Sequence, residues 1–478
     1  MGFVWDEGFH LLAAQLIDAG RTPYIDFCFP QTPLNAYWNA FWLQLFHQNW
    51  RITHVMASLE VAGATALAVD YVFKRFPIAR WRFACALIVA GFVGMNGVVV
   101  LFGTCAQAYG IGLLLTVAAF RVTVAAGSLQ ARLVSFLSGL LSGAAAACTL
   151  LTAPVIPVLF IWLWIYGEAK LRFGRAVAFL AGVAIPFVPV LILGIRAPRQ
   201  VFFNVVQYQA LFRREKWTGA TAHDVDVLTA WLDSTPALFL GLLGLTGLFF
   251  VARKSGWDRL RRAEFYLASA LAISMLLYIA TAHPTFQRYF IFVVPFAAIV
   301  AAVGFYSVAS RLWSADRPFW PTLIVMALLT LSIARTVFND RKSTTWKDYE
   351  KIAAKVAEVT PKESLLYADE LVYFILQRRP PFGLEFSYAH KLELPPGQEA
   401  LFHVISDREL NEQVKAGKYA TVESCNDDRI DEMKLADLFP NKVDVEDCSI
   451  FWGKVKPLPP DEKDEKKKGE GSAPKTKR

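Results

Sequence analysis

Charge is what most of this sequence lacks. Of its 478 residues 19% are charged, and residues 1–338 hold only 14 Asp+Glu and 25 Lys+Arg. A soluble domain keeps about a quarter of its residues charged to face water, so this part is excluded from being one. Residues 339–478 hold 27 Asp+Glu and 24 Lys+Arg and read as a soluble domain with a tail. The net +8 therefore comes from the apolar part, which excludes a nucleic-acid footprint. Histidine and cysteine are scarce, at 7 and 6 residues, and no CxxC or His/Cys zinc spacing occurs. Cys28, Cys85, Cys105 and Cys148 lie in or beside apolar runs and read as small buried hydrophobes. Cys425 and Cys448 sit in the charged part, where they either pair or stay free. No cleavable leader is legible, because Asp6 and Glu7 follow Met1 almost at once.

What is there instead is apolar sequence in long runs. A membrane span needs about 20 mostly apolar residues. Ten stretches qualify: 55–73, 83–101, 104–120, 133–150, 153–166, 176–195, 235–252, 263–282, 287–309 and 320–338. The fold class expected is a polytopic α-helical membrane protein with a small C-terminal α/β domain. Short-loop Lys and Arg orient it. Lys74, Arg75, Arg80 and Arg82 share one side with Arg121, Arg132, Lys170, Arg172 and Arg175. Arg253, Lys254, Arg259, Arg261, Arg262, Arg311 and Arg317 follow on that side, which is then cytoplasmic. The division expected is a first extracytoplasmic loop over 1–54 and a membrane domain over 55–338, with a large outside loop at 196–234. A soluble α/β domain follows over 339–456, then a disordered charged tail over 457–478.

The start of the chain strains this topology. Residues 34–49 are apolar but short, and carry Asn35, Asn39, Gln44 and His47. If they span, residues 1–33 are cytoplasmic; if they lie in the interface as a sunken helix, residues 1–33 are outside. The second reading is favoured, and with it a first helix upstream of Met1. In the C-terminal part, 346–358 has Tyr349, Ile352, Ala353 and Val356 on one helical face. Strands are expected at 365–367, 419–423 and 449–455, and helices at 370–377 and 406–416, giving a small open sheet.

The span interiors are nearly free of ionisable groups, apart from Glu60 near the outer end of its span. Polar residues gather in the outside loops. Trp5-Asp6-Glu7-Gly8 opens a helix over about 8–19. Its acids either complement a helix N-terminus or take a proton from an attacking hydroxyl. Arg21 to Phe27 and Pro30 to Pro33 form a proline-fixed path that either only turns the chain or lays Asp26, Gln31 and Thr32 against that helix. In 202–217, Phe203, Val206, Ala210 and Phe212 form an apolar set, with Tyr208, Arg213, Arg214 and Lys216 beside it. This is an amphipathic interfacial helix or the place where an arginine holds a lipid phosphate. His283 to Tyr289 lies at the mouth of span 287–309, where Arg288 either snorkels or pairs with a phosphate.

Asp6-Glu7-Gly8, a helix ending at Gly20, Pro23-Tyr24-x-Asp26-Phe27, Pro33 and Tyr37-Trp38 together resemble the first outside loop of GT-C membrane glycosyltransferases. The bacterial relatives of protein O-mannosyltransferases and of the lipid A aminoarabinose transferase are the nearest in pattern. Arg288-Tyr289 with Pro295, and Tyr208 with Arg213-Arg214, are similar to later family features. The resemblance implies a bacterial inner-membrane enzyme. It implies a polyprenyl-phosphate-linked sugar as donor, a lipid, glycan or protein hydroxyl as acceptor, and contact with membrane lipids at the outer face. It casts Asp6 as the base with Glu7 assisting, and Arg288, Arg213, Arg214 and Tyr289 as ligands of the donor phosphate. His10, Asp26, Gln31, Thr32, Tyr37, His54, Gln107, Tyr208 and His283 are the pocket candidates. Two departures stand out. Gly103 to Gln107 carries no acid where many members have one, and Gln31-Thr32 replaces a Glu-Lys pair. No cofactor is firmly implied, and a divalent metal is weakly supported. The rival readings are a flippase or transporter of lipid-linked saccharides and a non-catalytic subunit of an envelope-polymer assembly.

Overall fold

A computed structural model describes residues 6–125, 131–166, 169–253, 257–313, 316–341 and 343–456. Trp5, Lys254 and the expected tail at 457–478 lie outside the described residues. Among the described residues the chain is mostly helical, and seven helices are long and apolar enough to cross a membrane. These are Trp50–Arg75, Ala131–Cys148, Arg172–Arg196, Thr235–Ala252, Arg259–Thr281, Val294–Leu312 and Phe319–Asp340. The chain is thus a multi-pass membrane protein.

The other three expected spans are also helical, but not as simple rods. The run 83–101 is a pair, Ala79–Gly94 and Gly97–Gly103, bent by 53°. Asn96 makes the break, because its side chain accepts from the amides of Val98 and Val99 and so caps a new helix inside an apolar run. If the pair is one span, the total is eight. Tyr109–Val124 and Leu150–Tyr166 are shorter apolar helices. The span expected from 287 begins at Val294, where Pro295 fits the first helical turn. Residues Gln287–Phe292 form a 3-10 turn ahead of it. Arg288 therefore sits in a short 3-10 helix ahead of the span and not in the span itself.

Close helix contacts hold the bundle. A side chain at Gly304 would meet the backbone of Leu243 and Gly247, so Val294–Leu312 and Thr235–Ala252 touch main chain to main chain. The basic loops interlock at one end. Arg121 pairs with Asp70, Arg80 with Asp316 at 2.6 Å, and Arg75 lies 3.8 Å from Glu264.

At the other end lie α1 (Glu7–Asp18), α2 (Leu34–Leu45) and the head of α3 (Trp50–Arg75). With 12 residues, α2 is about 18 Å long, too short for a bilayer core. Trp38 donates to Glu60 at 2.7 Å and ties α2 to α3. The C-terminal part is a four-stranded sheet of order β1-β2-β4-β3. Its strands are β1 (Leu366–Tyr367), β2 (Thr421–Ser424), β3 (Asn441–Val445) and β4 (Cys448–Trp452). β1 and β2 are parallel, and the rest antiparallel. β3 was not expected, because Asn441, Lys442 and Asp444 make it a polar edge with no apolar period. Cys425 and Cys448 are joined as a disulfide. Helix Trp346–Val359 starts in a capping box of Thr345 and Asp348 and buries the expected face.

The first loop and this domain share one hydrophobic core. The rings of Trp50 and Trp346 stack at 4.1 Å. Gly8 is pressed against helix Glu370–Leu376, where an added Cβ would lie 3.2 Å from the Leu371 amide nitrogen.

Candidate active site

Four segments converge above the bundle: the start of α1, the turn at 285–292, the segment 203–217, and residues 385–391 of the C-terminal domain. Asp6 stands at the N-cap of α1, yet its side chain caps nothing. Its Oδ2 lies 2.6 Å from Arg288 Nη2, and its Oδ1 accepts from the Tyr388 hydroxyl at 3.0 Å. Arg288 Nε also faces the Tyr109 hydroxyl at 3.2 Å, and its guanidinium covers Phe286 at 4.0 Å. Arg213 donates to the Tyr289 hydroxyl and lies 5.3 Å from the same Phe286 ring. Lys391 donates to the Arg213 carbonyl oxygen. Burial, then Arg213, lower the Lys391 pKa to about 8. Arg288 and Arg213 thus lie over the same Phe286 ring, with Asp6 paired to the first, and two guanidiniums so close together suit an anion.

The turn carrying Arg288 is braced from below. Asp224 accepts from the Thr285 amide at 2.6 Å and pairs with His283, while His223 contacts the Thr285 carbonyl oxygen at 3.1 Å. His283 is thereby a support of the turn. Segment 203–217 is a π-helix over Phe203–Phe212. Phe203 stacks on Phe402 at 4.1 Å, so it faces the C-terminal domain and not lipid. Tyr208 donates to the Tyr388 carbonyl oxygen at 3.1 Å. Arg214 points outward and is exposed.

Glu7 is placed differently from Asp6. It is fully buried, with Oε1 accepting from the Ala106 amide at 2.8 Å and lying 2.6 Å from His54 Nε2. Its Oε2 accepts from the Trp346 indole at 3.3 Å. Glu7 and His54 therefore lock three parts of the chain together. Replacing Glu7 with Ala leaves buried donors without an acceptor and should cost about 3–5 kcal/mol. The measurement is chemical unfolding of the detergent-solubilised protein, and an unchanged midpoint would remove this role.

The remaining candidates lie behind or beside the site. His10, one turn along α1, is buried against Phe9 and 3.5 Å from the Asn35 amide. Burial takes its pKa down to about 4, against the pull of Asp6, so it is neutral near pH 7. Asp26 accepts from the Thr22 amide at 2.7 Å and fixes a turn, and Tyr24 closes that turn by donating to the Gln31 carbonyl oxygen at 2.6 Å. Thr32 is buried against the Ala146 carbonyl oxygen, and Tyr37 is half-buried on α2. Gln107 is buried with neither amide atom partnered among the described residues. Tyr109, Phe286, Tyr388 and Lys391 were not anticipated.

The donor set at Asp6 does not fit a divalent cation. Both Asp6 oxygens face hydrogen-bond donors, Glu7 is committed inside, and Ser387 holds Glu370 Oε1 through its amide and hydroxyl at 2.7 Å each. Among the described residues the group with metal-ligand spacing is Glu423, Cys425 and Cys448, and its two sulfurs are bonded to each other.

No family model and no curated protein matches the chain. Solved structures do. ArnT from Cupriavidus metallidurans in the apo state superimposes with a TM-score of 0.65 over 94% of this chain and 93% of its own, at 13% identity. The same protein bound to undecaprenyl phosphate gives 0.64 over 94% of each chain, also at 13% identity. The Archaeoglobus fulgidus oligosaccharyltransferase, in complex with zinc and sulfate, gives 0.50 at 13% identity, over 88% of this chain and 63% of that one. The chain therefore shares the fold of ArnT over most of its length.

Proposed function

We propose that the chain is a membrane glycosyltransferase that moves a sugar from a polyprenyl-phosphate donor to an acceptor hydroxyl at the outer face of a bacterial inner membrane. The observation that carries this reading is the Asp6–Arg288 pair beside Arg213. It sets one carboxylate against an anion-binding surface in a fold whose neighbour ArnT binds undecaprenyl phosphate. The basic loops at the opposite end support an outer-face site.

In this mechanism Asp6 accepts the proton of the acceptor hydroxyl. The freed oxygen attacks the anomeric carbon, a new glycosidic bond forms, and the bond to the phosphate oxygen breaks. The electron pair leaves with the polyprenyl phosphate. Arg288 and Arg213 stabilise the charge that grows there. Leu211, two residues before Arg213, is an exposed apolar side chain that suits an isoprenoid chain.

The test is to incubate the purified protein with a panel of undecaprenyl-phosphate sugars and lipid or glycan acceptors. The expected result is a new glycosidic product with one equivalent of undecaprenyl phosphate. A donor moved intact across a proteoliposome, with no product, would make the protein a flippase instead.

A further inference from the structure

Among the described residues Asp6 has two side-chain partners, and Arg288 is the cation of the two, the one an incoming phosphate attracts most strongly. Arg288 holds Oδ2, and Tyr388 of the C-terminal domain holds Oδ1 at 3.0 Å. If donor phosphate engages Arg288, the guanidinium turns from the carboxylate and Oδ2 is released. A carboxylate with no other anchor would then rotate freely, at a cost in orientation. We propose that Tyr388 is the positioning residue of this site. It holds Asp6 in place while Arg288 is drawn to the donor, so that the C-terminal domain is a working part of the reaction centre. This rests on the transferase reading given above.

Tyr388 is itself held on three sides. Glu370 Oε1 accepts from the amide and hydroxyl of Ser387, one residue before it. Its carbonyl oxygen accepts from Tyr208 at 3.1 Å. Its ring packs edge-on against Phe9 of α1 at 6.2 Å and lies 5.5 Å from Phe386. Three residues on, Lys391 reaches the backbone of Arg213. One short segment therefore links the base to the phosphate clamp. Desolvation around the hydroxyl and the adjacent Asp6 charge push the Tyr388 pKa well above 10, which keeps it a donor at neutral pH. Tyr388 as a residue is 46% exposed, so its hydroxyl can be removed without opening a core.

The experiment compares wild type, Tyr388→Phe, Asp6→Asn and the double variant. Tyr388→Phe keeps the ring contacts and removes one bond to a charged group. It should lower kcat by about 10- to 100-fold, with the donor KM, the affinity for undecaprenyl phosphate and the thermal midpoint unchanged. In the Asp6→Asn background the same change should have no further effect, because the two residues act as a unit. A kcat within twofold of wild type, a loss that multiplies with Asp6→Asn, or a parallel loss of donor affinity and thermal midpoint overturns the assignment. Wild type that yields no product from any polyprenyl-phosphate sugar sinks the transferase reading and Tyr388 with it. An active wild type beside an equally active Tyr388→Phe sinks only Tyr388.

Discussion

Asp6→Asn should lower transfer by about 10²–10⁴-fold, the usual worth of a general base, and should at the same time tighten undecaprenyl phosphate binding by about tenfold. The two effects have one origin. The carboxylate of Asp6 pairs with the guanidinium that the proposed donor would need. Donor phosphate therefore binds by exchange, displacing one anion with another. The pair is mostly shielded from water, with 17% of the Arg288 side chain and 19% of that of Asp6 exposed, so the competition is not screened away. An amide has the carboxylate's shape without its charge and is a poor competitor. The exchange also sets an order: the base is released for the acceptor only once donor is in place. The measurement is equilibrium binding of undecaprenyl phosphate to the detergent-solubilised variant. Equal affinity in the two proteins would show that Asp6 does not compete for Arg288, and full transfer activity would remove Asp6 from the mechanism.

The pairing of Asp6 with Arg288 was not legible in the sequence, although each residue was a candidate there. Charges in an apolar chain are few and each needs a reason, which drew attention to Asp6, Arg213 and Arg288, while Tyr289 came with the family resemblance. Glu7 was drawn in with Asp6 by adjacency. A helix turns about 100° per residue, so two neighbouring acids at its start face different ways, and here one faces the site and the other the interior. Asp26 read either as a pocket candidate or as part of a turn, and its carboxylate, four residues from the Thr22 amide, closes a turn. The apolar runs were found because bilayer thickness sets their length, while the bend at Asn96 turned on one capping side chain. Tyr109 and Tyr388 gave no local signal. They reach the site across 179 and 382 residues of chain, and no periodicity spans such distances.

Arg288→Ala is expected to weaken undecaprenyl phosphate binding and to lower kcat by about 10²–10³-fold, the range for losing one donor to a developing negative charge. Arg288 makes two contacts at once, to Asp6 and to the Tyr109 hydroxyl, and a planar fork can hold both while a point charge cannot. Arg288→Lys should therefore recover part of the donor affinity and little of kcat. Arg213 stays behind in either variant, held by Tyr289, so binding should fall without vanishing. The decisive comparison is the double variant with Asp6→Asn. Tightening caused by Asp6→Asn depends on freeing Arg288, so with Ala at 288 it should disappear. If the asparagine tightened binding equally in both backgrounds, the effect would come from the overall charge of the site, and the direct exchange between carboxylate and phosphate on one guanidinium would be ruled out.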